Sequence, residues 1–183
     1  MKSLVIVFLS ILISIPTYAQ ENNSNKKLTR NEKKELKKKE DEETKKEITL
    51  IVESKKFVFE ADQIIDRKAM TYPANSSINF IKIDSNKAVF QLGSASTIGV
   101  NGLGGITIEG EITSFKIDKN EKNGYYYIVL KVTSKFGFFD IQFDISPLGN
   151  TNAKITTSDY KKIGYSGEIK SFDDSQIFQG ITY

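Results

Sequence analysis

A chain of 183 residues with no Cys, no His and no Trp has no thiolate, no imidazole and no disulfide to draw on. That removes the commonest metal ligands, the usual Cys–His and Ser–His nucleophilic sites, and the staples on which small exported domains often rely. The formal charge of +3 is unevenly placed, since residues 20–47 hold 10 Lys/Arg against 8 Asp/Glu while residues 48–183 hold 15 of each, and a neutral body whose one Arg is Arg67 lacks the clustered cations that a nucleic acid requires.

In chain order, Met1-Lys2 gives a short basic start, Leu4 to Ile15 is an apolar run, and Thr17-Tyr18-Ala19 precedes Gln20. This is the layout of a secretory signal, with small residues before the cut and an apolar core too short to span a bilayer comfortably. Residues 1–19 are therefore expected to be a signal peptide cleaved near Ala19-Gln20, leaving a periplasmic or secreted chain with no stable membrane insertion. No Cys comes after the apolar run, so no lipid attachment is expected there.

Residues 20–47 read as a polar linker and a charged helix. Thr29-Arg30-Asn31-Glu32 fits a capping box, and neither Gly nor Pro interrupts the sequence from Arg30 to Val52. Glu35 with Lys39, Lys38 with Glu42 and Glu42 with Lys46 stand at helical i,i+4 spacing, each pair contributing about 0.2–0.5 kcal/mol. From Arg30 on, Leu36 is the one apolar residue before Ile48, so the helix is expected to project into solvent and to dock only through Ile48, Leu50, Ile51 and Val52.

Residues 48–183 read as a single β-rich domain. After Ser54 the apolar period changes to two. Phe57, Phe59 and Ala61 share one face of a first strand, which Ile64 to Met70 extends or repeats. Ile81 and Ile83 lead into a turn at Asp84-Ser85-Asn86-Lys87, and Val89 to Leu92 returns. Ile106, Ile108 and Ile112 are out of phase with Phe115 and Ile117, so that strand must bend or bulge near Gly110 or Ser114. Asn123-Gly124 marks a hairpin leading to Tyr126, Ile128, Leu130 and Val132, and a turn near Lys135-Phe136-Gly137 leads to Phe139, Ile141, Phe143 and Ile145. Ala153 to Thr157 and Ile163 to Ile169 complete about eight strands. The expected fold is mainly β (α+β): a charged N-terminal helix, then a curled antiparallel β-meander or small β-barrel.

Four stretches, in order, resemble one family. They are FVFEA at Phe57–Ala61, INFIKIDSNKAVFQLG at Ile78–Gly93, GGITIEGEI at Gly104–Ile112 and FDISPLGNTNAKITTSDYKKIGYSGEI at Phe143–Ile169. The chain is similar to the secreted and lipoprotein domains of Bacteroidota collected as domain of unknown function 4251. The family pattern carries a Leu-Pro-Tyr and Gly step where this chain has Gln91-Leu92-Gly93, and many members have the lipid-accepting Cys that is absent here. The resemblance implies fold and compartment, and no activity.

Candidate sites are few. The run Gly99–Gly105 precedes a strand-like segment, Ile106-Thr107-Ile108, where a phosphate cradle needs a helix. Asp140 and Asp144 share a strand face about 13 Å apart, beyond the ~9.5 Å limit of a glycosidase pair, and Asp173-Asp174 lacks the further ligands of a calcium loop. No catalytic, cofactor-binding or metal-binding residue is assigned, and no cofactor is expected. Alternation places Tyr126 and Phe139 inside and Tyr125, Tyr127 and Phe138 outside. Those three form the one candidate ligand or partner surface. The expected function is an exported, non-enzymatic binding domain whose partner is an envelope protein, peptide or glycan. Two alternatives stand beside it: a lipocalin-like carrier with a hollow interior, and a hydrolase with two converging carboxylates.

Overall fold

The computed structural model describes residues 29–66, 68–93, 101–159 and 161–182. The signal peptide, its cleavage site, the linker up to residue 28, and Gly99 and Val100 of the glycine run lie outside these residues.

Helix α1 spans Arg30–Ser54 and begins with the capping box read from the sequence. The Glu32 amide donates to Thr29 Oγ1 at 3.3 Å, and the Thr29 amide donates to Glu32 Oε2 at 2.7 Å. Those two amides would otherwise have no partner at the helix start. Its buried residues are Ile48, Ile51 and Val52, three and four positions apart on one face. Leu50, two positions from Ile48 and from Val52, falls on the opposite face and is 68% exposed, so it does not dock as the sequence suggested. No ion pair forms within α1 among the described residues: in water the weak i,i+4 attraction does not hold long, freely rotating side chains in one geometry.

Among the described residues nine strands come after α1: β1 (Lys56–Ile65), β2 (Thr71–Pro73), β3 (Phe80–Asp84), β4 (Lys87–Leu92), β5 (Ile106–Lys119), β6 (Tyr126–Ser134), β7 (Gly137–Ile145), β8 (Asn150–Thr157) and β9 (Lys162–Lys170). From β3 to β9 each strand pairs antiparallel with the next, and β1 pairs with both β3 and β9. The sheet therefore closes on itself as an eight-stranded barrel. β2 is an extra strand clipped to the far half of β1, where Gln63, Ile64 and Ile65 meet Pro73, Tyr72 and Thr71. The stretch from Ile64 to Met70 thus ends β1 instead of continuing it, because Asp66 Oδ1 accepts the amides of Lys68 and Met70 at 2.8 and 2.9 Å and turns the chain.

Two bulges set which side chains face in. In β5 the register shifts between Ile112 and Ser114. Thr113 is the extra residue, and it carries Phe115 into the same inward phase as Ile112. In β1 the register shifts between Ala61 and Gln63. Phe57, Phe59 and Ala61 point inward, Asp62 and Gln63 are both exposed, and Ile64 packs on the core again.

The interior is packed with side chains. Phe143 meets Phe57 and Phe59 edge-on at 5.6 and 5.8 Å between ring centroids, and Phe90 meets Phe139 at 4.7 Å. Ile83, Ile128, Leu130, Ile141 and Ile145 fill the space between and are at most marginally accessible. The last turns of α1 plug one end, where Tyr126 Oη donates to Thr49 Oγ1 at 3.1 Å.

Residues 171–182 form no strand but strap the outside of β1, β3 and β4. Phe172 and Ile177 cover Val58, Phe80 and Val89. Gln91, buried on that face, donates to the Ile78 and Phe178 carbonyls and accepts from Thr107 Oγ1 and the Gly180 amide, all between 2.7 and 3.0 Å. Sequence periodicity gives no hint of this strap.

Candidate functional site

The three outward aromatics do not form one patch. Tyr127 pairs with Asp144 at one end of β6, whereas Phe138 pairs with Thr133 near the other. Six residues separate these positions on β6, roughly 20 Å along the strand. Phe138 is 66% exposed and stands alone. Tyr125 and Tyr127 remain together, 38% and 39% exposed, in and just after the Asn120–Tyr125 loop. There Gly124, at φ 72°, donates its amide to the Asn120 carbonyl. A left-handed backbone at that position suits Gly, which is the turn signal seen in the sequence.

Tyr125 borders a groove of about 260 Å³ on the outer barrel face, lined with it by Asp62, Gln63, Asp144, Asn152 and Ser166. The groove arises from strand register. Tyr127 lies opposite Asp144, Asp144 opposite Asn152, Asn152 opposite Ser166, and Ser166 opposite Gln63. Five outward side chains on five neighbouring strands thus form one row across the sheet. The β1 bulge is what brings Gln63 into the row, since a regular strand with Ala61 inward turns Asp62 outward and Gln63 back inside. Within the row, Ser166 Oγ donates to Asn152 Oδ1 at 2.7 Å. Ser146 lines the same groove, and its hydroxyl is buried without a hydrogen-bond partner.

The acidic candidates stay apart. Asp140 and Asp144 are both exposed on β7, four residues apart as expected. Asp174 accepts from Ser171 Oγ in a local turn, and no three metal-ligating side chains come together among the described residues. Glu60 is the buried carboxylate, 5% exposed. It accepts from Lys170 Nζ at 2.7 Å, Ser175 Oγ at 2.8 Å and the Gln176 amide at 3.1 Å. Burial works against its charge, but these three donors outweigh burial and hold its pKa below the ordinary value. A carboxylate so held is a fastening for the strap.

The second half of the glycine run is pinned. Asn101 is buried, accepts the amides of Leu103 and Gly105 at 2.9 Å, and donates to Thr107 Oγ1 at 3.1 Å. The loop runs directly into β5, so no helix N-terminus meets it.

The sequence singled out Tyr125 and Tyr127 but missed the groove beside them. Alternation marks Asp144, Asn152 and Ser166 as outward, yet their alignment depends on long-range register. The bulge that turns out Gln63 is hidden because the adjacent pair Ile64-Ile65 fits either strand phase.

Comparison with known proteins bears on the whole barrel. The family described as "Domain of unknown function (DUF4251)" matches residues 39–169, which runs from within α1 to the end of β9 and stops short of the strap. No curated protein matches. Among solved structures, the crystal structure of a DUF4251 family protein from Bacteroides eggerthii DSM 20697 is similar at a TM-score of 0.63 and 20% identity, covering 74% of this chain and 92% of that one. At that identity the likeness speaks for the fold.

Proposed function

The chain belongs to the DUF4251 family, and from that premise we propose that it is an exported, non-enzymatic binding domain that engages its partner on the outside of the barrel. The observation that carries this reading is a contrast between inside and outside. The interior is occupied by Phe57, Phe59 and Phe143 in mutual contact, while Tyr125 and the polar row beside it face an open groove. The signal-like N-terminus and the lack of a Cys after it support a chain released into the periplasm or beyond. The placement of the carboxylates supports binding more than turnover: Glu60 is buried outside the groove and tied down by Lys170, and Asp62 and Asp144, which line the groove, are both exposed.

A lipocalin-like carrier is the second reading, favoured by the closed barrel itself, since barrel mouths are common ligand sites. It requires an apolar cavity where the Phe rings now meet. Native mass spectrometry of the protein purified from the exported fraction separates the two. The binding-domain reading expects a polypeptide beginning at Gln20 with no apolar small molecule attached. A mass that includes Met1 contradicts export with cleavage, and a stoichiometric apolar ligand favours the carrier.

A further inference from the structure

We infer that the groove across β1 and β7–β9 is a subsite for a neutral carbohydrate chain laid across the strands, an inference that rests on the binding-domain reading and specifies its ligand. The row that lines the groove, from Asp144 through Asn152 and Ser166 to Gln63, crosses three strand spacings. At about 4.8 Å each it extends about 14 Å, long enough for a short chain and not only a single ring. Its groups are carboxylate, amide and hydroxyl, which between them accept from and donate to a hydroxyl-rich ligand. Among the described residues the side chains of Asp62, Gln63, Asp144 and Asn150 make no hydrogen bond within the protein, and Asn152 uses only its oxygen. The Ser146 hydroxyl in the groove wall has no hydrogen-bond partner among the described residues. Tyr125 supplies an aromatic face at one end, the usual complement to the apolar face of a sugar ring.

Charge and topology choose between ligand classes. The groove is lined by Asp62 and Asp144 and by no Lys or Arg, so a chain bearing phosphate, sulfate or carboxylate meets repulsion. A peptide held in extended form uses an open sheet edge and apolar side-chain pockets. Here every strand under the groove is flanked on both sides, and the lining is polar apart from Tyr125. An uncharged saccharide needs neither edge nor cation.

The test is amide NMR on the chain from Gln20 to Tyr183, titrated with neutral hexasaccharides of α-glucan, β-glucan, mannan, xylan and chitin type and with an anionic polygalacturonate of equal length. The expected result is saturable shifts at Gln63, Tyr125, Asn152 and Ser166 with at least one neutral chain, bound roughly tenfold or more tighter than polygalacturonate. Tyr125→Ala weakens that binding roughly tenfold without moving the thermal midpoint, while Phe138→Ala, far along the barrel, leaves it unchanged. The assignment is overturned if no neutral chain moves the groove signals, if polygalacturonate binds as tightly, or if Tyr125→Ala has no effect. A peptide or protein that shifts these residues where saccharides do not also overturns it, and leaves the binding-domain reading standing. A ligand that shifts only interior residues overturns both.

Discussion

Glu60 sits on the outer face of β1 and would be an ordinary exposed carboxylate without residues 171–182 folded over it. Lys170, Ser175 and the Gln176 amide hold it ionised against the cost of burial. Its pKa is lower folded than unfolded, so its contribution is complete above the unfolded value near ~4.3 and is lost as pH falls through the folded value. The protection of the Gln176 amide, taken as its exchange rate relative to the intrinsic rate at the same pH, is therefore expected to be high at neutral pH and to fall once the pH drops below the ordinary glutamate range, about 4.3, ahead of amides inside the barrel. Lys170→Met leaves a buried carboxylate short of one donor and should cost about 1–3 kcal/mol in chemical denaturation. Gly167 is a second residue with a sharp requirement: a Cβ there would lie 2.0 Å from the Glu60 carbonyl oxygen. Gly167→Ala is expected to push β9 from β1 and destabilise the fold by about 1–3 kcal/mol, read as a lower urea midpoint. Alternation in the sequence identifies Glu60 as facing away from Phe57 and Phe59. That it would be covered is not legible, because the strap has no period to read.

At the scale of elements, α1 is the one most fully written in local sequence. The capping box, the absence of Gly and Pro, and the first apolar cluster at Ile48 are all visible there, and the departures are the exposed Leu50 and the i,i+4 charge pairs, which do not close. Since residues before Ile48 make no core contact, Thr29→Ala should fray the helix start, removing about 0.5–2 kcal/mol of local helix stability. Far-UV circular dichroism should show lower helicity while the barrel's thermal midpoint stays put. The two bulges show where pattern reading stops. The β5 bulge is legible near Ser114 because apolar residues stand on both sides of it in opposite phase. The β1 bulge is not, and with it is hidden the outward turn of Gln63, the β1 end of the groove.

Closure is a property of the whole chain. Every hairpin from β3 to β9 can be argued from neighbouring segments, but the pairing of β9 with β1 joins the two ends of the domain, and no local signal separates a closed barrel from a curled meander. The expected number of strands, about eight, matches the barrel, with β2 as an addition at the edge of β1. Filling of the barrel is likewise a collective result, in which Phe57 and Phe59 of β1 meet Phe143 of β7 from across the interior. Phe143→Ala empties the centre of that contact and should cost about 3–5 kcal/mol. The proposed division into a packed interior and a binding groove outside is tested most directly by methyl and amide NMR of the chain titrated with the neutral hexasaccharides. The predicted map has perturbations at Gln63, Tyr125, Asn152 and Ser166 with the methyls of Ile128, Leu130 and Ile141 unmoved; shifts concentrated on those three interior methyls, with the groove silent, would contradict it.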